Sequence, residues 1–426
     1  MTKPLLAGRL LAFTGLVLFA YNLRTAVTGL APLIPIVRQT YAIDTFAVAL
    51  LGSLAPICFA IASFVAPAIS RRLGLSITVI SAIVLILIGH VLRSTSSDWV
   101  VLAVGTLIAL FGTGVGNIIL PPLVKKYFPD RIGLMTSVYM TTVMLSATVA
   151  PLIAVPVSDV AGWRFALGQW IPLAIIGIVP WLFLRRADKL AASTHKQAWA
   201  DEKAAALAAG EPAPVTAPIQ THRPLNLAKS PTAWAIGIIF AVSSITGYAM
   251  FSWMPAMMVD TSHVSLAEAG ALLAIFAVLG APFSVVIPVI TQHLKHVDRL
   301  IHVATALFVI GYGGWFLFPT FQPWLWAVII GMGPLLFPLA VVLINLRTES
   351  QAASLQLSGF TQAIAYVAAS MAPPLMGLAY ELTGGWELAI FCLGAVSITA
   401  SFSAFVIKRG HTVEQELYTS SQRSAA

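Results

Sequence analysis

Arg24 is the residue whose setting demands a chemical explanation. It lies in Tyr21-Asn-Leu-Arg-Thr25, inside an apolar stretch that starts near residue 10. A guanidinium at the centre of a membrane-spanning helix costs roughly 2.5–3.5 kcal/mol on insertion scales. A chain that carries this cost is expected to turn Arg24 into a polar cavity, where it would hold an anion or an electron-rich solute through charge-assisted hydrogen bonds. The alternative is a structural Arg bonded to helix carbonyls or snorkelling outward. The Asp and Glu residues fall in loops or at helix ends, so Arg24 has no obvious carboxylate partner. The same lack removes the usual intramembrane proton relay. His90 and His302 lie near helix ends and are poor substitutes, so any coupling would ride on the solute's own charge or be absent.

Amides and aromatics supply the other candidates. Asn22 could orient Arg24 or touch the solute, and Asn117 could bind or act as interhelical glue, since buried amides need partners. Tyr21 flanks the same segment. In the second half of the chain Tyr248, Trp253, Gln362 and Tyr366 could form the opposite wall. Gln362 and Tyr366 are four residues apart and share one helix face; bundle packing or interfacial belts are the alternatives. Gly112-Thr-Gly-Val-Gly116 superficially resembles a dinucleotide loop, but it lies inside an apolar stretch, and close helix packing accounts for it better. Cys58 and Cys392 both fall in apolar segments, as packing residues do. No metal-ligand spacing, phosphate loop or catalytic triad order is present. We therefore expect no enzyme, no metal and no cofactor.

The elements that must position these residues follow from composition. The 426 residues are 58% hydrophobic and only 9% charged, whereas a soluble domain carries roughly 25% charge. Such a chain needs lipid around it. Twelve apolar segments are long enough to span, at 10–36, 45–69, 76–93, 99–122, 133–157, 165–184, 232–258, 265–290, 300–318, 323–345, 354–379 and 387–407. Helices are the expected form, because backbone facing lipid must satisfy itself. The first segment is too long for a cleavable signal. Residues 187–209 read as an Ala-rich helix outside the membrane and Glu211–Pro218 as a Pro-rich linker.

Charge sets the expected orientation. With the N-terminus inside, only Arg38, Arg93 and Arg164 of the 24 Lys and Arg fall outside, and Arg24 lies within a span. This asymmetry predicts both termini in the cytoplasm. It also explains the pI near 9.6 without nucleic acid. The two halves repeat: Gly112-Thr-Gly, Ala150-Pro151 and Gly162-Trp163 recur in order as Gly331-Met-Gly, Ala372-Pro373 and Gly385-Trp386. We expect an all-α membrane protein with twelve transmembrane helices in two pseudo-symmetric six-helix bundles. Residues 1–184 would form the first bundle, 185–231 a cytoplasmic loop, 232–407 the second bundle and 408–426 a cytoplasmic tail. Parallel repeats with a site between them near mid-membrane are a transporter arrangement.

Four stretches carry a resemblance to a family. They are Asn22-Leu-Arg-Thr-Ala-Val-Thr-Gly-Leu-Ala-Pro32; Gly116-Asn-Ile-Ile-Leu-Pro121 with Lys125-Lys-Tyr-Phe-Pro129; Gly162-Trp-Arg164; and Leu346-Arg-Thr348 with Leu357-Ser-Gly-Phe-Thr-Gln362 and Tyr366. With these the chain resembles the cyanate transporter family of the major facilitator superfamily, which includes a 2-nitroimidazole transporter. The resemblance implies the major facilitator fold and a bacterial inner-membrane carrier, acting as a monomer on a small anion such as cyanate or on a small heteroaromatic. One departure stands out. Ser70-Arg-Arg-Leu-Gly74 has Arg71 where the general signature would place an Asp, so the gate between helices 2 and 3 must use other contacts. Helix 5 also lacks the Gly-rich run of drug–proton antiporters.

Overall fold

The computed structural model describes residues 6–41, 45–208 and 225–418. The linker expected at Glu211–Pro218 lies outside them. The described residues are helical almost throughout, with no strand among them.

The first half consists of α1 (Leu6–Thr28), a 3-10 turn and α2 (Ile34–Tyr41), α3 (Thr45–Leu73), α4 (Leu75–Ser94), α5 (Trp99–Tyr127), α6 (Ile132–Gly168) and α7 (Ile171–Ala208). The second half consists of α8 (Pro231–Ser262), α9 (Leu266–His293), α10 (Asp298–Leu317), α11 (Pro323–Met332) with α12 (Leu336–Leu346), α13 (Gln351–Thr383) and α14 (Glu387–Ile407). Eleven stretches are long and apolar enough to span. One of them, Ile132–Leu190, has 59 residues, about 88 Å of straight helix against a core of about 30 Å. It must cross twice. Gly162, at φ +83° and ψ 155°, reverses it with a backbone that favours glycine. Among the described residues the crossings therefore number twelve, and an even number leaves Leu6 and Tyr418 on one face, here called the terminal face.

Three elements differ from the sequence reading. The helix expected to begin at 187 is no separate element, because α7 runs unbroken from the sixth crossing to Ala208. The tenth crossing is split between α11 and α12 by a 3-10 turn at Gly333–Leu335. Pro334 lacks the N–H that would continue the ladder, and a side chain at Gly333 would collide with Phe308, 2.2 Å from the added Cβ. The tail is docked: residues 413–418 are helical and Val413 is fully buried.

Packing repeats between the halves. In the first, α1 lies against α6 and α7, and α4 against α5 and α7. In the second, α8 lies against α13 and α14, and α10 against α11 and α14. The glycine run in α5 is a packing device. An added Cβ would lie 2.7 Å from Ala82 O at Gly112, 2.7 Å from Ala62 Cβ at Gly114 and 2.3 Å from Leu23 Cδ2 at Gly116. Each glycine admits a different neighbour: α4, α3 and α1. The repeated Gly-Trp pairs do equivalent work at the far face. Trp163 Nε1 donates to Thr40 Oγ1 at 3.2 Å, and Trp386 Nε1 to Asp260 Oδ2 at 2.8 Å. Each indole thus ties down the far end of the first crossing of its own half.

The halves meet through α3 with α13 and α6 with α9. Hydrogen bonds crossing between them among the described residues lie from mid-depth to the terminal face. Ser137 Oγ donates to Val285 O at 2.7 Å, and Ser358 Oγ to Ile118 O at 2.8 Å. Lys125 Nζ bonds the Asn345 and Thr348 carbonyls and Thr348 Oγ1. The terminal face is therefore closed.

Candidate functional site

α1 presents Arg24 because its other faces are tied into the first half. Asn22 Nδ2 donates to Leu18 O at 2.8 Å and to Leu173 O on α7 at 3.4 Å. Thr25 Oγ1 donates to Asn22 O and lies 3.3 Å from His90 Nε2 on α4. Arg93 Nη1 donates to Ala26 O at 3.0 Å, a cation at the C-terminal turn of α1, where the helix dipole favours one. Gly116 lets Leu23 close on α5. What remains is the face toward the second half. Arg24 lies there, about 22 Å along the helix from Arg9, which pairs with Asp130 at the terminal face.

The Arg24 side chain has no hydrogen bond or ion pair among the described residues. Its guanidinium carbon is 6.0 Å from the centre of the Phe59 ring. It lines a cleft together with Asn117 on α5, Tyr139, Met140 and Met144 on α6, Phe240 on α8, Phe337 on α12, and Gln362 and Tyr366 on α13. Both halves contribute walls. The space is about 390 Å³ counting its opening, but its enclosed part is about 30 Å³, room for a water or two. No carboxylate lines it, so Arg24 dominates its potential.

Several polar atoms in the cleft walls are buried without a partner: Asn117 Nδ2, Tyr139 OH and Gln362 Oε1. Such atoms usually find a partner in a folded protein. Their gathering around a free guanidinium is the chemical signature of this site.

Of the residues singled out in the sequence, Arg24, Asn117, Gln362 and Tyr366 come together in this cleft. Tyr248 stands beside it, packed with the apolar cluster that includes Leu51, Phe59 and Tyr366. Three do not line it. Asn22 is two residues from Arg24, about 200° around the helix, and its amide is turned to α7. Tyr21 packs its ring 6.1 Å from Trp170. Trp253 Nε1 donates to Pro373 O at 2.8 Å and its ring lies 5.2 Å from Trp386, an interior indole with its N–H satisfied. Of the two histidines, His90 is fully buried beside Arg93, and His302 Nδ1 lies 2.7 Å from Ser401 Oγ.

Sequence reasoning missed Tyr139, Met140, Met144, Phe240 and Phe337. A signal existed for part of the set. Tyr139 and Val143, Met140 and Met144, and Phe337 and Val341 are each four apart, sharing a face, and all six residues line the cleft. Among the described residues no group of three His, Cys, Asp or Glu could hold a metal ion.

The fold and the sequence place this arrangement among known proteins. Two solved structures share the fold. One is the proton:xylose symporter XylE (TM-score 0.70, 14% identity, 97% of this chain and 98% of that one). The other is FucP in its outward conformation (TM-score 0.67, 14% identity, 94% and 99%). Among curated proteins, the chain is 26% identical over 396 residues to the 2-nitroimidazole transporter of Escherichia coli strain K12, covering 92% of this chain and 93% of that one. It is 24% identical over 399 residues to the cyanate transport protein CynX of the same organism, covering 91% and 96%. It is 28% identical over 390 residues to the uncharacterized transporter YycB of Bacillus subtilis strain 168, covering 90% of each. The family model for the Major Facilitator Superfamily matches residues 12–352. With twelve crossings, two repeated halves and a cleft walled by both, the chain belongs to the Major Facilitator Superfamily, a multi-pass membrane transporter of a small solute.

Proposed function

We propose that the chain carries a small, electron-rich solute across the inner membrane by alternating access, with Arg24 as the group that binds it. The unpartnered guanidinium between the two halves carries this reading. A half-buried cation with no protein anion beside it is poised for a ligand that supplies negative charge or lone pairs. Cyanate or a similar small anion meets that need with the fewest atoms. The aromatic walls, Tyr139, Phe240, Phe337 and Tyr366, favour a second reading, a planar heteroaromatic of the 2-nitroimidazole type. One relative is named for each of these solutes, so both readings have support from that side.

The narrow enclosed space implies that a solute enters as the halves part. They then rock about the site. The Lys and Arg excess on the terminal face supports a cytoplasmic location for both termini. The site lies within one chain, which supports action as a monomer with lipid and solute as its partners.

Arg24→Lys tests the reading. Lysine keeps the charge but loses the fork of donors. Solute binding, read by thermal shift of the purified protein and by uptake into proteoliposomes, is expected to fall about 10- to 100-fold. Membrane insertion and the melting temperature without solute should hold. Unchanged binding of both cyanate and 2-nitroimidazole would remove Arg24 from the site.

A further inference from the structure

Gln362 is 2% exposed, on α13, and its amide cannot turn. Ser358 Oγ has one proton, and it is donated to Ile118 O on α5 at 2.8 Å. The hydroxyl can then only accept, and it does so from Gln362 Nε2 at 2.8 Å. The Asn117 carbonyl, which can never donate, accepts from the same nitrogen at 3.3 Å. Two acceptors on one side of the amide require its NH2 there. Gln362 Oε1 is thereby left as an acceptor, buried and without a partner, on a residue that lines the Arg24 cleft.

We propose that Gln362 Oε1 is a specificity-determining acceptor that selects solutes carrying an N–H or O–H donor beside the electron-rich group held by Arg24. The inference rests on the reading of the cleft as the solute site. A bare anion such as cyanate satisfies Arg24 and leaves Gln362 Oε1 orphaned. A planar azole with an N–H and an electron-rich substituent satisfies both. Asn117 Nδ2, also unpartnered, adds a donor for the second lone pair of such a substituent. The relay through Ser358 and Ile118 crosses from one half to the other, so the acceptor is held in this orientation while the halves are closed on the terminal face.

The test compares three ligands on the purified full chain: 2-nitroimidazole, its N1-methyl derivative and cyanate. Binding is measured calorimetrically below the azole's own pKa, so that the N–H is present. In the unaltered protein the N–H azole is expected to bind at least about tenfold more tightly than the N-methyl azole, the cost of leaving a buried acceptor unmet. Gln362→Met keeps the length and removes the acceptor, and should collapse that ratio toward one. A purely steric objection to the methyl group would persist in this variant. Ser358→Ala supplies an independent arm: it leaves the Asn117 carbonyl, at 3.3 Å, as the amide's one fixed acceptor, so Oε1 is held less firmly and the ratio should shrink in part.

A ratio near one in the unaltered protein overturns the proposal, as does a ratio that both variants leave intact. Binding of cyanate alone overturns it too, while Arg24→Lys weakening that binding would preserve the cleft as the solute site. If no ligand binds, or Arg24→Lys changes none of them, the site reading falls together with the proposal.

Discussion

At the scale of single residues, the fold encloses Arg93 fully and Arg24 only in part, and it treats the two arginines differently. Arg93 is fully enclosed and lies against the C-terminal turn of α1, where Ala26 O takes one of its donors. Arg24 has room in front of it and no partner behind it. The same contrast separates the tyrosines. Tyr41 OH donates to Ser96 O at 2.7 Å, whereas Tyr139 OH, in the wall of the cleft, is buried with no partner. A hydroxyl kept dry and unpaired costs about 1–3 kcal/mol, so Tyr139→Phe is expected to leave the ligand-free melting temperature unchanged or higher. The same variant should weaken solute binding several-fold, by about 1 kcal/mol. Thermal unfolding with and without ligand reads both effects at once, and a destabilised protein with intact binding would make Tyr139 a packing residue. Arg24 was legible from sequence because its cost depends only on depth in an apolar run. Arg93 was not. It ends an apolar segment and counts as an outer-loop cation until the end of α1 at Thr28 is seen to leave a carbonyl for it. Asn22 lies off the cleft because two residues along a helix turn the side chain about 200° away from Arg24, toward α7.

At the scale of elements, small residues set the distances. A Cβ at Gly89 on α4 would lie 2.5 Å from Ala109 Cβ, 2.6 Å from Gly105 O and 2.7 Å from Ala109 N on α5. None of these can yield without moving backbone. Gly89→Ala should therefore destabilise the first half by about 1–3 kcal/mol, seen as a lower melting temperature in detergent; an unshifted transition would mean that the two helices are not packed this closely. The docked tail offers a second case. Glu414 Oε1 accepts from Glu349 N at 2.9 Å and Ser350 N at 3.1 Å before α13, and Glu416 accepts from Ser230 Oγ, Thr232 N and Thr232 Oγ1 at the start of α8. Ending the chain at Arg409 removes both caps, with an expected cost of about 1 kcal/mol each. Hydrogen exchange should then rise in the first turns of α8 and α13 but not in α1. The spans themselves were legible as apolar runs, and the glycine run in α5 as packing. The helix at 187–209 was legible too, but its unbroken join to the sixth crossing and the tail clamp were not, because Ala-rich and charged stretches look alike whether they are docked or solvated. Only the three-dimensional position of the α8 and α13 N-termini gives Glu414 and Glu416 their work.

At the scale of the whole molecule, the question is what keeps the terminal face shut. The sequence carries Arg71 where the general signature has an acid, which implied a gate made of other contacts without saying which. Lys125, at the end of α5 in the first half, reaches across to the end of α12 in the second. Its ammonium bonds the Asn345 and Thr348 carbonyls and Thr348 Oγ1. Two of its three partners are backbone oxygens at a helix C-terminus, where the dipole favours a cation, the third is a hydroxyl, and no carboxylate is among them. Backbone acceptors have no signature in a sequence, which is why Lys125 was visible only as part of a motif. Three charge-assisted bonds that exist only when the halves meet here favour this state over one open to the terminal face. Lys125→Met keeps the stem and removes all three, and a loss of about 1.5–3 kcal/mol would shift the equilibrium about 10- to 100-fold toward the open form. Spin labels placed at the exposed Arg72 and Lys295, with Cys392 replaced, report the separation of the halves on this face. The variant should populate a longer distance that the parent lacks, and since the latch is partly buried, added salt should reproduce little of the change. An unaltered distance distribution would mean that the apolar contacts of α3 with α13 and α6 with α9 close the face unaided, and that Lys125 only caps α12.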